Sequence, residues 1–255
     1  MTPTAAGWGN FAAVIEELAD RISDPDDFRV LPGSAMAGDD RAAYPFPVSE
    51  AVRHIINATV DQLHGLKVAV HDAPQQHLAV GSTLARAALE NAASGLWIIG
   101  PDRRDRRIER VLRWHARNYR DFELFLNSAE RDTSAELERN GAALQQIRSV
   151  AMARGINPDV AASGFKVTTP LTGCSEFTAT PVYRDWQLAS GFAHGRPWAY
   201  HGFLERETLQ TYSSPTYKLR PREGLTSYLA MRSAGLLVEL LRVREDRSRG
   251  IDPLQ

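Results

Sequence analysis

The chain has 255 residues, 43% of them apolar and 24% charged, with 30 basic against 31 acidic side chains. That length supports one large core or two small ones, and the near-neutral balance excludes the global basic field that advertises nucleic-acid binding. A single cysteine, Cys174, excludes an intrachain disulfide and a multi-cysteine zinc site, and fits a reducing compartment.

The opening stretch, MTPTAAGWGNFAAVIEELAD, has no basic segment leading into a long apolar core. No secretory signal is expected, and the expected location is cytoplasmic. Residues 9–20 suit a short amphipathic helix through Phe11, Val14, Ile15 and Leu18, and 22–46, with Pro, Gly and Asp clusters, read as a loop or arm. The predicted organisation is an N-terminal arm with a short helix over 1–47, one helical-bundle domain over 48–245, and a flexible tail over 246–255.

A first long helix is expected over 48–72, where Val52, Ile55, Thr59, Leu63, Leu66 and Val70 recur at three- and four-residue spacing. Pro74 ends it, and a second helix runs over 75–99 to the Gly100-Pro101 stop. A third, over 102–129, has Asp102 as a candidate N-cap; a fourth, over 133–154, starts at a capping box of Thr133 and Glu136 and ends before Gly155. The segment 156–182, rich in Thr, Gly and Pro, reads as a long ordered loop, and 205–222 as another. A fifth helix covers 182–194 and a last one 224–245. The fold class is all-α: an antiparallel up-down bundle of four long helices, with two further helices packed on it.

The most apolar stretch, 78–100, carries only two charges, Arg86 and Glu90, one helical turn apart. With Asn91 they mark a bundle core and not a membrane span, so no membrane partner is expected. The pair is either a brace between helices or the polar lining of a cavity.

Ser190 and His194 are four apart on the fifth helix, with Tyr183, Arg184, Trp186 and Gln187 on or beside the same face. Histidine suits proton transfer at neutral pH, but no nucleophile-elbow turn accompanies the serine. Arg-x4-His occurs twice, as Arg110 to His115 and Arg196 to His201. Arginine beside histidine suits phosphodiester chemistry without metal, whereas a histidine on an apolar stripe, as at His115, is more often a core residue. The third helix carries Arg103, Arg104, Arg106, Arg107, Arg110, Arg113, Arg117 and Arg120. They read as phosphate contacts or, more simply, as a solvated face laced with ion pairs. No Gly-rich phosphate loop, Rossmann fingerprint or Glu-x-x-His di-iron pair is present, so no cofactor and no metal are expected.

The segments TLARAALENAASGLWII, PDRRDRRIERVLRW and YRDWQLASGFAHG together resemble the HEPN-like group of bacterial helical-bundle proteins, over roughly 48–201. The resemblance implies a bundle that often dimerises, and in some members a metal-independent ribonuclease of toxin–antitoxin or defence systems. Their motif places a polar residue soon after the arginine; here Arg110 is followed by Val111 and Leu112, and Arg196 by Pro197 and Trp198.

The expected function is therefore that of a HEPN-like protein acting on RNA or a nucleotide. The catalytic candidates are His194, Arg86, Glu90, Ser190 and Arg196. Arg184, Tyr183, Gln187, Trp186, His115 and Trp198 are the binding candidates, and a homodimer is expected. One alternative is a non-enzymatic HEPN-like binding or dimerisation module. Another is a small-molecule enzyme of specialised metabolism whose apolar pocket is lined by Trp186, Phe192, Trp198 and Tyr200 with the Thr-rich loop.

Overall fold

A computed structural model describes residues 5–24, 27–73, 77–209 and 216–250. Among them the chain is mostly helical, with one two-stranded sheet. The helices are α1 (Ala5–Ser23), α2 (Ala35–Ala43), α3 (Val48–Lys67), α4 (Val80–Ile99), α5 (Arg104–Asn127), α6 (Ser134–Ala153), α7 (Pro158–Ala162), α8 (Thr168–Gly173), α9 (Val182–Ala193), α10 (Pro197–Phe203) and α11 (Glu223–Ser248). Strands β1 (Glu205–Leu209) and β2 (Thr216–Arg220) pair antiparallel, Glu205 opposite Arg220.

α4 is the centre. Twelve of its residues, from Gly81 and Ser82 through Leu89 and Leu96 to Ile99, are buried, and α3, α9 and α11 all pack on it. Small side chains make that enclosure feasible. A Cβ on Gly95 would stand 2.7 Å from Leu240 of α11 and 3.1 Å from Ile55 of α3. The amphipathic row of α1 (Trp8, Phe11, Ile15, Leu18) joins the same core, as do Met36 and Phe46. α6 packs mainly on α5 and α7. No helix among the described residues is long and apolar enough to cross a membrane.

Several sequence expectations change. The stretch 22–46 contains α2, started by Ser34, whose side chain accepts from the Ala37 N–H at 3.1 Å. α3 passes into a π-turn at Val68–Asp72. α4 starts at Val80; residues 74–76, where Pro74 was expected to open it, lie outside the described residues. Asp102 caps nothing at α5, whose N-cap position is Arg103. Thr133 occupies the N-cap position of α6 without a side-chain cap bond; Asp132 accepts from the Ser134 N–H instead, at 2.9 Å. The supposed loop 156–182 is built of α7, α8 and a short 3-10 turn at Cys174–Glu176. The second supposed loop, 205–222, holds the hairpin. The last helix continues through Ser248, so 246–248 are helical, and 251–255 lie outside the described residues.

The arginines of α5 explain why 156–182 folds. Arg120 donates to the Ala162 carbonyl from Nε and Nη2, at 2.9 and 2.7 Å; Arg113 donates to Gly164 at 3.0 Å and Arg117 to Phe165 at 2.8 Å. Ala162 has a terminal carbonyl of α7 that lacks an intrahelical partner, and Gly164 and Phe165 lie in the link to α8. Arg107 is 3% exposed and clamps Asp39 of α2 through two bonds, at 2.6 and 2.9 Å, and also donates to the carbonyls of Pro101 and Asp102. Arg110 is buried and donates to the Trp97 carbonyl at 2.6 Å. Arg107 and Arg110 are thus buried braces, whereas Arg113 and Arg117 combine a carbonyl contact with an ion pair one turn away, to Glu109 and Asp121.

Candidate functional site

The C-terminal end of α9 is fixed by a sequence of local signals. Gly195 stands at φ +60, its N–H donating to the Phe192 carbonyl at 3.0 Å, while the Arg196 N–H reaches back to Gly191 at 2.8 Å. That is a glycine-dependent helix stop, closed by two backward hydrogen bonds over the last turn. Pro197 then occupies the first turn of α10, where its missing N–H costs nothing. The turn folds α10 back on α9 so tightly that a Cβ on Gly191 would lie 2.5 Å from the Trp198 ring and 2.8 Å from the Ala199 Cβ.

Trp198 is thereby held beside a cavity of about 660 Å³ between α9, α10 and α11, lined by Arg184, Asp185, Gln187, Leu188, Trp198, Phe203 and Tyr228. Its apolar wall is Leu188, Trp198 and Phe203; Trp198 remains 52% exposed. Its polar end is organised by Asp185, 1% exposed, which accepts from Tyr228 Oη at 2.8 Å and from Arg232 Nε at 3.0 Å. The Tyr228 oxygen in turn accepts from Arg184 Nη2 at 3.1 Å, and the same nitrogen lies 3.5 Å from Asp185. One buried carboxylate therefore faces two guanidiniums, Arg184 in the cavity lining and Arg232 outside it. Arg184, with its side chain 72% exposed, keeps donors free to meet a bound group.

Three of the expected binding residues, Arg184, Gln187 and Trp198, line this cavity together. Sequence reasoning missed Asp185, Leu188, Phe203 and Tyr228. The available signal was the spacing of Tyr228 and Arg232, one helical turn apart and able to converge on one carboxylate.

The remaining candidates lie elsewhere. Glu90 Oε1 accepts from the Trp186 indole at 2.6 Å and lies 2.9 Å from Arg86 Nη2, with the Arg86 guanidinium 5.7 Å from the Trp186 ring. This places α4 and α9 side by side. Tyr183 stacks on Trp186, ring centroids 5.9 Å apart. Ser190 Oγ is buried without a hydrogen-bond partner, and so is Arg86 Nε. His194 is exposed at the end of α9, joined to Ser190 by its backbone N–H and the serine carbonyl, at 3.0 Å. Arg196 and His201 are also exposed.

His115 sits against Phe46 and Trp114, ring centroids 5.1 and 5.0 Å away, and burial holds its pKa down at about 4. It is a neutral core histidine at physiological pH. Phe192 is buried against Tyr200, not in the cavity, and the 165–180 segment does not line it. Cys174 is buried, with its thiol pushed up to about 12, so it is no nucleophile. Among the described residues no cluster of His, Cys, Asp or Glu is placed to hold a metal ion.

No family model, curated protein or solved structure matches the chain.

Proposed function

We propose that this protein binds a small molecule with an aromatic or apolar body and an anionic head, in the cavity between α9, α10 and α11. The observation that carries the reading is the pairing of an aromatic wall, Trp198 and Phe203, with a polar end where Arg184 lines the cavity and the charge of its neighbour Asp185 is shared with Arg232. The cavity falls within the range of small-molecule sites, and its polar groups converge at one end as such sites require. Arg184 meets the head, Gln187 supplies a further polar contact, and Trp198 and Phe203 take the body. Asp185 and Tyr228, also part of the lining, position Arg184. Native mass spectrometry of the purified protein tests this: a small anionic organic molecule should co-purify and be lost from Trp198→Ala. A ligand-free protein that also fails to take up aromatic carboxylates would overturn it.

A second reading is favoured by the exposure of His194 and Arg196 on either side of Gly195. It is a HEPN-like protein acting on RNA or a nucleotide, a metal-independent endoribonuclease in its enzymatic form and a dimerising module otherwise. In this reading α3 to α6 supply the four long helices of the expected bundle. Cleavage of total RNA in EDTA, abolished in His194→Ala, supports it; no cleavage by the folded native protein removes the nuclease form.

A further inference from the structure

On α9, Arg184, Gln187 and Leu188 stand three and four positions apart and line the same cavity. Residues three apart on a helix have their Cβ atoms about 5–6 Å from each other. Arg184 and Gln187 therefore address two separate points of one bound molecule, with Leu188 beside them.

The polar groups of the lining differ in what they have left to offer a ligand. Asp185 is buried and accepts from Tyr228 Oη and Arg232 Nε. The Tyr228 hydroxyl donates its proton to Asp185 and accepts from Arg184 Nη2. A guanidinium has several N–H groups, so Arg184 keeps donors for a bound group. Gln187 is exposed, and no partner among the described residues takes up the donor and the acceptor of its amide.

Charge narrows the ligand further. Among the described residues Arg184 is the one guanidinium that lines the cavity, and Gln187 is neutral. One negative charge is matched at Arg184, and a planar carboxylate fits the guanidinium fork through two parallel hydrogen bonds. A second anionic group within reach of Gln187 would face only an amide and apolar side chains, so the group placed there is uncharged. A hydroxyl, which like the amide both donates and accepts, meets it fully.

The apolar wall is an aromatic corner. Trp198 and Phe203 meet edge to face, with ring centroids 6.2 Å apart and planes at 79°. A flat ring can stack on one of them and turn its edge to the other, the arrangements that aromatic groups favour. From its carboxyl carbon to a meta or para substituent, one benzene ring spans about the 5–6 Å that separates residues three apart on a helix.

We infer that the ligand of this cavity is a hydroxylated aromatic monocarboxylate. Its carboxylate sits on Arg184, its ring against Trp198 and Phe203, and its hydroxyl on Gln187. The inference rests on the small-molecule reading above and makes Gln187 the residue that sets specificity among aromatic acids.

The test is a calorimetric titration of the full chain with benzoate, 3-hydroxybenzoate and 4-hydroxybenzoate, for wild type and Gln187→Leu. The substituted side chain is exposed, and circular dichroism checks that the variant is folded. Wild type should bind one of the hydroxybenzoates about three- to tenfold more tightly than benzoate, the range of a single hydrogen bond. In Gln187→Leu that ratio should fall to about one. Equal affinities for the three acids in wild type overturn the inference, as does a preference that persists in the folded variant. A parallel titration with 8-anilinonaphthalene-1-sulfonate, on wild type and Trp198→Ala, separates this inference from the reading beneath it. If that probe binds in a Trp198-dependent way and no hydroxybenzoate does, the ligand class is wrong and the cavity reading stands. If neither binds, the cavity reading fails and takes the inference with it.

Discussion

Trp186 on α9 donates its indole N–H to Glu90 on α4 at 2.6 Å, joining positions 96 apart in the chain. The acceptor oxygen is the one that also faces Arg86, so the only two charges of the central helix are tied to the helix that carries the cavity. The arrangement makes Arg86 and Glu90 a brace between elements in the first instance. Removing the donor as Trp186→Phe, which also trims the indole to a phenyl ring, should cost about 1.5–3 kcal/mol, the range for a hydrogen bond to a charged group. Urea denaturation measures it; an unchanged midpoint would mean the contact is not made in solution.

Asp39 is the harder test of how α2 is held. It lies almost fully buried between Arg107 and Arg104, with Arg107 Nε at 2.6 Å and Arg104 Nε at 3.2 Å. Asp39→Asn leaves the buried Arg107 without a counter-charge and should destabilise by about 3–5 kcal/mol. Chemical denaturation is again the measurement, and a loss below about 1 kcal/mol would contradict the buried pair.

His115 gives a pH signature. Its pKa is about 4 in the folded protein against the ordinary histidine value of 6.5, because burial disfavours the imidazolium. Between those values the unfolded chain holds the extra proton, so stability falls as pH drops from 6.5 towards 4 and levels off below. The His115 share of that loss is about 2 kcal/mol between neutral pH and pH ~4.5. His115→Phe should remove this component, leaving only what the carboxylates contribute. Parallel pH profiles of wild-type and variant stability check it; identical slopes would show that His115 is not buried as described.

Gly191→Ala addresses the cavity from behind. Its new methyl would stand 2.8 Å from the Ala199 Cβ, and α10 must move outward, carrying Trp198 with it. The expected result is a loss of about 1–3 kcal/mol and weaker ligand uptake, although residue 191 itself does not line the cavity. Wild-type stability together with wild-type binding would show that the close approach is not needed.

Helical periodicity made α3, α5, α6, α9 and α11 legible in the sequence, since each buries a stripe whose spacing is written in the chain. What escaped depended on distant partners. α7 and α8 looked like loop because their Thr, Gly and Pro residues lack a stripe; the carbonyls of Ala162, Gly164 and Phe165, at the end of α7 and in the link to α8, are satisfied by Arg120, Arg113 and Arg117, more than 40 positions away. The hairpin escaped because its strands are exposed on both faces and show no alternation of burial. The charge on α5 was visible, but not its direction: an arginine that braces a carbonyl and one that faces solvent look alike in sequence.

The same contrast runs through the cavity. Arg184, Gln187 and Trp198 stood out as polar or aromatic residues on the α9–α10 stretch. Asp185 did not, because an acidic residue in a first helical turn already has a local explanation in the helix dipole. Only its contacts with Tyr228 and Arg232, 43 and 47 positions away, reveal what else it does.

The most direct test of the central claim is a calorimetric titration with 8-anilinonaphthalene-1-sulfonate, which combines an aromatic body with a single anionic head. Wild type should bind it at one saturable site, and Trp198→Ala and Arg184→Gln, both at exposed positions, should each weaken binding about tenfold while remaining folded. Absence of saturable binding, or the same affinity in all three proteins, would contradict a ligand site between α9, α10 and α11.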